Sequence, residues 1–105
     1  MRRIAPLSLL VASVFLSPAL ADEPQRDIPY GTEHKRQVLD IYAPKDAKNA
    51  PVVFWIHGGG WQAGDKSGVQ VKPKAFVDKG FIFVSTNYRL LPEVTIDTIF
   101  RDIAK

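Results

Sequence analysis

The feature that most constrains the fold is a short apolar segment that runs directly into three glycines. Residues 52–56 are all apolar, and positions 57–61 read His-Gly-Gly-Gly-Trp. An uninterrupted apolar run of this length is typical of a central strand that is buried on both faces of a parallel sheet. Glycine is needed where the backbone takes a positive φ or closely approaches a ligand. The triplet therefore predicts a loop that presents backbone N–H groups at the carboxyl end of a strand, where ligands bind in open α/β sheets.

The flanking segments predict the remaining elements of an α/β fold with a mostly parallel central sheet and flanking helices. We expect two further exposed or half-exposed strands, a second buried strand, a short helix that starts at Pro73 and is capped by Gly80, and a final amphipathic helix. Residues 22–26 are polar and are expected to form a flexible leader. The three strands and the final helix are predicted at Ile28–Tyr30, Gln37–Tyr42, Phe81–Thr86 and Thr95–Lys105.

The N-terminus has the organisation of a secretory signal peptide. Positively charged residues 1–3 precede the mostly apolar segment 4–16, and Ala19-Leu20-Ala21 offers small residues at a cleavage site. We expect cleavage after Ala21, which divides the chain into a signal at 1–21 and a partial hydrolase-type domain at 22–105, secreted or periplasmic. A single membrane anchor is the alternative, but the apolar run is shorter than the roughly 20 residues that span a bilayer. A twin-arginine signal at Arg2-Arg3 is also compatible with the sequence.

The charge balance gives no reason to expect a nucleic-acid partner. Two of the 14 Lys and Arg residues lie in the predicted signal, so 12 basic and 11 acidic residues remain after cleavage. The chain has no cysteine, which excludes a structural disulfide. No pattern in the sequence calls for a metal ion or an organic cofactor, a stable membrane anchor is not expected, and the oligomeric state is open.

The glycine motif resembles the oxyanion-hole loop of α/β-hydrolase esterases and lipases. It is similar to the loop of the hormone-sensitive-lipase-like carboxylesterases and of the bacterial feruloyl and acetyl-xylan esterases, and the kynurenine formamidases have a related version. Three further segments resemble motifs of these families in the same order: Leu39–Pro44, Gly64–Lys66 and Asn87–Glu93. The resemblance extends over about residues 30–105.

The resemblance implies a role for each residue of the loop. The backbone N–H groups of Gly59 and Gly60 would face the oxygen that becomes negative when an ester carbonyl is attacked, and one such donor is typically worth about 3 kcal/mol of the barrier. His57 would brace the loop by hydrogen bonding rather than act as the catalytic base. Trp61 would pack against the acyl pocket or the base of the loop. The substrates implied are small acyl or aryl esters, free or linked to polysaccharide, and the same scaffold also serves formamide or peptide hydrolysis.

Neither serine outside the predicted signal has the surroundings of a nucleophile. Ser67 and Ser85 lack glycines two residues away on both sides, which a nucleophile elbow requires. His34 is expected to be a solvated surface histidine, and Asp65 is expected to cap or hydrogen-bond the loop. Asp40 and Arg89 are candidates for a structural ion pair.

In the families that the chain resembles, the Ser-Asp-His triad follows the segment matched by Asn87–Glu93. The resemblance therefore implies the N-terminal part of a serine carboxylesterase that ends before the nucleophile strand and is inactive alone. Without that strand, Val52–Ile56 would be a bare apolar edge, and we expect the piece to fold poorly. The alternative is a non-catalytic exported binding module or a degenerate hydrolase fragment.

Overall fold

The computed structural model describes residues 23–105, and the predicted signal at 1–21 lies outside the described residues. The helices and strands come in the order expected for an α/β domain. They are β1 (Gln25–Pro29), β2 (Val38–Tyr42), β3 (Val52–Ile56), α1 (Lys72–Val77), β4 (Ile82–Thr86) and α2 (Ile96–Ala104). No helix among residues 23–105 is long and apolar enough to cross a membrane.

The four strands form one sheet in the order β1-β2-β4-β3. β3 and β4 pair in parallel through α1, with Val52 opposite Ile82 and Ile56 opposite Thr86. β2 is antiparallel to both of its neighbours, β1 and β4. The α/β class is therefore confirmed, but the described sheet is mixed, because the two N-terminal strands reverse direction through short connections that a parallel pair would not permit.

The predicted strand positions agree closely with the structure, with one exception at the N-terminus and one at β3. Residues 25 and 26, expected in a flexible leader, belong to β1, and Gln25 pairs with Ile41 of β2. β3 has only one neighbour, and Val52, Phe54 and Ile56 are exposed by 57%, 46% and 36%. The prediction that β3 is buried on both faces is thus wrong for residues 23–105, in which β4 is the one strand that pairs with β3.

The two helices form where the local sequence signals place them. Pro73 lies in the first turn of α1, where a missing N–H costs no hydrogen bond, and Gly80 takes φ +90° just after the helix. The side chain of Thr95 caps α2 by accepting from the Thr98 N–H at 3.3 Å. Ile99 of α2 is fully buried, whereas Phe100 is half exposed.

The small core lies along β4. Phe83 is fully buried and stacks on Phe76 of α1, with the ring centroids 5.7 Å apart. Tyr88, immediately beyond β4, is also buried. The core therefore extends from the ends of β3 and β4 into the loops that follow them, and this packing holds the strand ends in place.

Candidate active site

The glycine loop lies at the carboxyl end of the parallel pair of β3 and β4. Its backbone takes positive φ at two successive glycines, +128° at Gly59 and +65° at Gly60. A Cβ atom at Gly59 would also overlap the carbonyl group of Ala63, whereas one at Gly60 would meet open space. Glycine is therefore required at position 59 for space and conformation, and at position 60 for conformation alone.

The N–H groups of Gly59 and Gly60 point to no acceptor in the part of the chain that the structure describes. The loop closes through a carbonyl instead, because Gly59 O accepts hydrogen bonds from the N–H groups of Gln62 at 3.1 Å and Ala63 at 3.2 Å. Both glycines are exposed. Two neighbouring N–H groups without an acceptor among the described residues are compatible with an oxyanion hole, which requires donors directed at one oxygen.

His57 lies beneath the loop and is 6% exposed. Its ring stacks on Tyr88 with a centroid distance of 4.4 Å, and the Tyr88 hydroxyl donates to the His57 carbonyl at 2.7 Å. The His57 Nδ1 lies 2.8 Å from the Gly58 carbonyl, to which it donates. These contacts place the imidazole against the protein backbone, in the geometry of a bracing group.

Within residues 23–105 no serine hydroxyl forms a hydrogen bond with a histidine. The Ser85 hydroxyl is buried and donates to the Lys66 carbonyl at 2.7 Å. The described residues therefore contain no assembled serine–histidine pair.

Trp61 forms the outer wall of the loop. Its ring packs on Tyr88 and on Phe100 of α2, at centroid distances of 5.4 and 5.6 Å. Its φ is +65°, which is uncommon for a bulky side chain, and its carbonyl accepts from the Leu91 N–H at 2.8 Å. These contacts place the Trp61 ring between Tyr88 and α2, and its role towards an acyl group stays a prediction.

The Gly64–Lys66 segment is fixed to the end of β4 by Asn87. Asn87 Oδ1 accepts from the Lys66 N–H at 2.8 Å, and its Nδ2 donates to Asp65 Oδ1 at 3.1 Å. Burial raises the pKa of Asp65, but the hydrogen bonds from the Ser67 N–H and from Asn87 outweigh it, so the pKa lies below its ordinary value. The buried side-chain amide of Asn87 therefore anchors the Gly64–Lys66 segment. The sequence motif around Asn87 predicts a loop, but it does not predict this contact.

Arg36, which sequence reasoning missed, joins the loops after β3 and β4. Its Nε donates to the Tyr88 carbonyl at 2.9 Å, and its Nη2 donates to the Gly64 carbonyl at 3.0 Å. Nη2 also lies 3.5 Å from His57 Nε2. No motif marks Arg36 in the sequence, since its partners lie at least 21 residues away along the chain.

The predicted ion pair between Asp40 and Arg89 does not form. Arg89 instead pairs with Asp102 through two guanidinium nitrogens and its own N–H, with the shortest contact at 2.7 Å. Asp40 pairs with Lys66 at 2.9 Å. The partners differ from the prediction because α2 brings the buried carboxylate of Asp102 against Arg89, in the loop that follows β4.

His34 is also more enclosed than expected. Only 18% of its side chain is exposed, and its Nε2 lies 3.0 Å from Glu93. It thus links the loop before β2 to the Asn87–Glu93 loop. The prediction of a solvated surface histidine is wrong, because α2 and the loop before it fold back over the start of β2.

Burial and hydrogen bonding shift the pKa of several groups around the site. Burial raises the pKa of Asp102, but the hydrogen bonds from Arg89 outweigh it, and the pKa falls below its ordinary value. Burial and the nearby Asp102 carboxylate raise the pKa of Tyr30 to about 12. Burial likewise raises the pKa of Tyr88. Among residues 23–105 there is no group of three His, Asp or Glu side chains that could hold a metal ion.

A glycine loop at the carboxyl end of a parallel β-α-β unit, in a mixed sheet of this order, is typical of the N-terminal part of an α/β-hydrolase fold. Residues 39–105 match the model of the BD-FAE family, and the chain belongs to this family.

Several known proteins with similar sequences or structures carry the names of hydrolases. Gut esterase 1 of Caenorhabditis elegans is 43% identical over 50% of this chain and 10% of its own length. Kynurenine formamidase of Danio rerio is 33% identical over 75% of this chain and 27% of its own. The inhibited esterase B of Lactobacillus rhamnosis superimposes with a TM-score of 0.68 and 30% identity, over 77% of this chain and 27% of its own. The chain thus spans about a quarter or less of the length of these proteins.

Proposed function

We propose that this chain is the N-terminal part of a secreted serine carboxylic-ester hydrolase and supplies the oxyanion-hole loop. The observation that carries the proposal is the pair of exposed N–H groups at Gly59 and Gly60, which have no acceptor in the described part of the chain. When a nucleophile attacks an ester, the carbonyl oxygen gains negative charge and moves towards such donors. Each donor is typically worth about 3 kcal/mol of transition-state stabilisation.

The substrate class proposed is a small acyl or aryl ester, free or attached to polysaccharide. The names of gut esterase 1 and esterase B support an ester. The aromatic wall of Trp61 and Phe100 beside the loop offers apolar surface to an acyl or aryl group. The similarity to a kynurenine formamidase keeps amide hydrolysis as a second candidate, because the same two donors serve either carbonyl.

The nucleophile, base and orienting acid are proposed to lie outside the matched segment. Two observations support this: no Gly-x-Ser-x-Gly motif occurs in the 105 residues, and no serine hydroxyl contacts a histidine in the described part. On this proposal the 105-residue chain has no esterase activity by itself. The active enzyme would form an acyl-serine intermediate on the rest of the protein.

The decisive experiment is to read the coding sequence past the Lys105 codon and to assay both products with 4-nitrophenyl acetate. We expect an in-frame Gly-x-Ser-x-Gly, and a product that hydrolyses the ester with a burst of nitrophenolate. Gly59→Ala in that product keeps the N–H group but should displace it, because its Cβ would overlap the Ala63 carbonyl, and should lower kcat by about a hundredfold. Serine-type turnover by the 105-residue chain would contradict the missing triad, and an immediate stop codon would favour the non-catalytic binding module.

Export is proposed on the sequence pattern of residues 1–21 alone. Expression with this segment in a bacterial host should place the protein in the periplasm or the medium. N-terminal sequencing of that product should begin at Asp22. A product retained in the cytoplasm with Met1 intact would contradict the proposal.

A further inference from the structure

The Arg36 side chain collects acceptors from two loops that are separate in sequence. It donates to the carbonyls of Gly64 and Tyr88 and to Asn87 Oδ1, the last at 3.3 Å. Its Nη1 also lies 3.6 Å from Asp65. Arginine suits this position because its five N–H groups leave a rigid planar fork in fixed directions, which a lysine ammonium cannot reproduce.

The contacts of Arg36 and Gly58 select one tautomer of His57. The Gly58 carbonyl can only accept, so the His57 Nδ1 at 2.8 Å must carry the proton. In the neutral ring His57 Nε2 then carries a lone pair. This lone pair faces Arg36 Nη2 at 3.5 Å, and a guanidinium nitrogen can only donate. In the opposite tautomer two donors would face each other at Nε2, and Nδ1 would face the Gly58 carbonyl as a second acceptor. The Tyr88 hydroxyl also lies 3.3 Å from Nδ1, but its one hydrogen is donated to the His57 carbonyl at 2.7 Å.

The selected tautomer sets the direction of the Gly59 N–H. The Gly58 carbonyl and the Gly59 N–H belong to the same peptide unit, and in a planar trans peptide they point in opposite directions. Because His57 holds the carbonyl inward, the N–H is turned outward to the exposed side of the loop.

We propose that Arg36 is a positioning residue of the oxyanion loop, which fixes the Nδ1–H tautomer of His57 and thereby aims the Gly59 N–H at the substrate oxygen. The catalytic consequence rests on the proposed function. The tautomer consequence does not, since it concerns only hydrogen bonds within the described residues.

The chain contains an internal reference for the tautomer. The Arg36 backbone N–H donates to His34 Nδ1 at 2.9 Å, and His34 Nε2 faces Glu93. His34 should therefore be protonated at Nε2, opposite to His57. A change of the Arg36 side chain leaves its backbone N–H in place, so the His34 signal should stay constant.

The test is ¹⁵N NMR of the histidine-labelled protein as the full coding sequence encodes it, at about pH 8, where an ordinary imidazole is neutral. We expect His57 as Nδ1–H and His34 as Nε2–H in the unchanged protein, with His34→Gln providing the assignment. Arg36→Met should shift the His57 tautomer ratio towards Nε2–H by about tenfold, the effect of one charge-assisted hydrogen bond. Arg101→Met, which removes an exposed arginine of α2, should leave the ratio unchanged.

Arg36→Lys guards against loss of the fold in the methionine variant. A single ammonium group can reach Nε2 or the carbonyls but not both, so a smaller shift in the same direction is expected. An unchanged His57 signal in both Arg36 variants, or an Nε2–H His57 in the unchanged protein, would overturn the proposal.

In the active esterase, Arg36→Met should lower kcat by about tenfold with KM nearly unchanged, because the Gly59 donor acts mainly on the transition state. Arg36→Lys should recover part of that loss. Absence of hydrolysis in the unchanged enzyme would refute the proposed function while leaving the tautomer result intact.

Discussion

The two outer strands of the sheet differ in how they meet solvent. β1 has the features of a protected edge: it carries Arg26 and Asp27, contains Pro29, and is irregular between Gln25 and Ile28. Charges, proline and bulges all hinder pairing with another chain. β3 has none of these devices, since all five of its residues are apolar and alternate ones are exposed.

The difference indicates that β1 has the sequence of a terminal strand and β3 that of an interior strand. β1 is attached by buried polar contacts, because Asp40 of β2 accepts from the Asp27 N–H at 2.9 Å and pairs with Lys66. β3 is attached through its single parallel partner, β4. On the β1 side of the sheet, polar contacts fix the geometry. On the β3 side, an apolar surface remains exposed.

The largest loss of stability is expected at the buried ion pair that attaches β1 to the rest of the sheet. Asp40 is 1% exposed and Lys66 is 8% exposed, so Asp40→Asn leaves a buried ammonium with one carboxylate fewer. We expect the free energy of unfolding to fall by about 3 kcal/mol, which is typical of a broken buried pair.

Urea unfolding of Asp40→Asn checks this prediction, with the exposed Asp46→Asn as the matched control. The control should change the free energy of unfolding by less than about 0.5 kcal/mol. Equal values for the two variants would show that the polar network does not hold β1.

A smaller loss of stability is expected in the glycine loop at the end of β3, where a substitution disturbs the backbone conformation rather than a charge. Gly59→Ala should cost about 2 kcal/mol, because its Cβ overlaps the Ala63 carbonyl group at a φ of +128°. Gly60→Ala should cost about 1 kcal/mol, since only its positive φ is unfavourable. Gly58→Ala meets no atom within 4 Å and serves as the thermal-unfolding control. A control as unstable as Gly59→Ala would contradict the conformational explanation.

Titration should report on the two buried ion pairs of the described residues, Asp102 with Arg89 and Lys66 with Asp40. The pKa of Asp102 is lowered, so its stabilisation is present above its ordinary value of 3.8 and is lost as the pH falls through the lowered value. The hydrogen bonds of Lys66 to Asp27 and Asp40 outweigh its burial and raise its pKa, so its stabilisation is present below 10.5 and lost as the pH rises further.

Urea midpoints from acid to alkaline pH measure both limbs. Asp102→Asn should flatten the acid limb and leave the alkaline limb unchanged. An acid limb that is the same in this variant and in the unchanged protein would exclude Asp102 as its source.

Patterns of neighbouring residues predicted most of the fold, because strands and helices depend on local periodicity. The apolar run 52–56 and the glycine triplet gave the position of β3 and of the loop directly. The pairing of charges could not be predicted in this way. Arg89 and Asp102 are 13 residues apart, and Arg36 meets Tyr88 across 52 residues, so only the tertiary fold brings them together.

The exposure of β3 is likewise a property of its neighbours rather than of its sequence. Five apolar residues predict burial, and burial depends on a second partner that residues 23–105 do not provide. The roles assigned to Gly59, Gly60, His57 and Trp61 stay predictions, although the geometry of each is compatible with its role.

The smallest effect on unfolding is expected at the β3 edge, where the comparison can be tested most directly. Phe54 is 46% exposed on β3, so Phe54→Lys should change the free energy of unfolding by less than about 1 kcal/mol. Its effect on association should be larger, because a charge on an open apolar edge disfavours strand pairing between chains. Light scattering after size-exclusion chromatography should therefore show less oligomer or aggregate than the unchanged chain at equal concentration.

Val71→Lys distinguishes the edge from a general effect of charge. Val71 is 75% exposed next to α1, so this variant gains the same charge at a position away from β3. If β3 is the surface through which chains associate, Val71→Lys should associate as the unchanged protein does. Equal loss of association in both variants would mean that net charge, rather than an interior-type strand at the edge of the sheet, governs the behaviour.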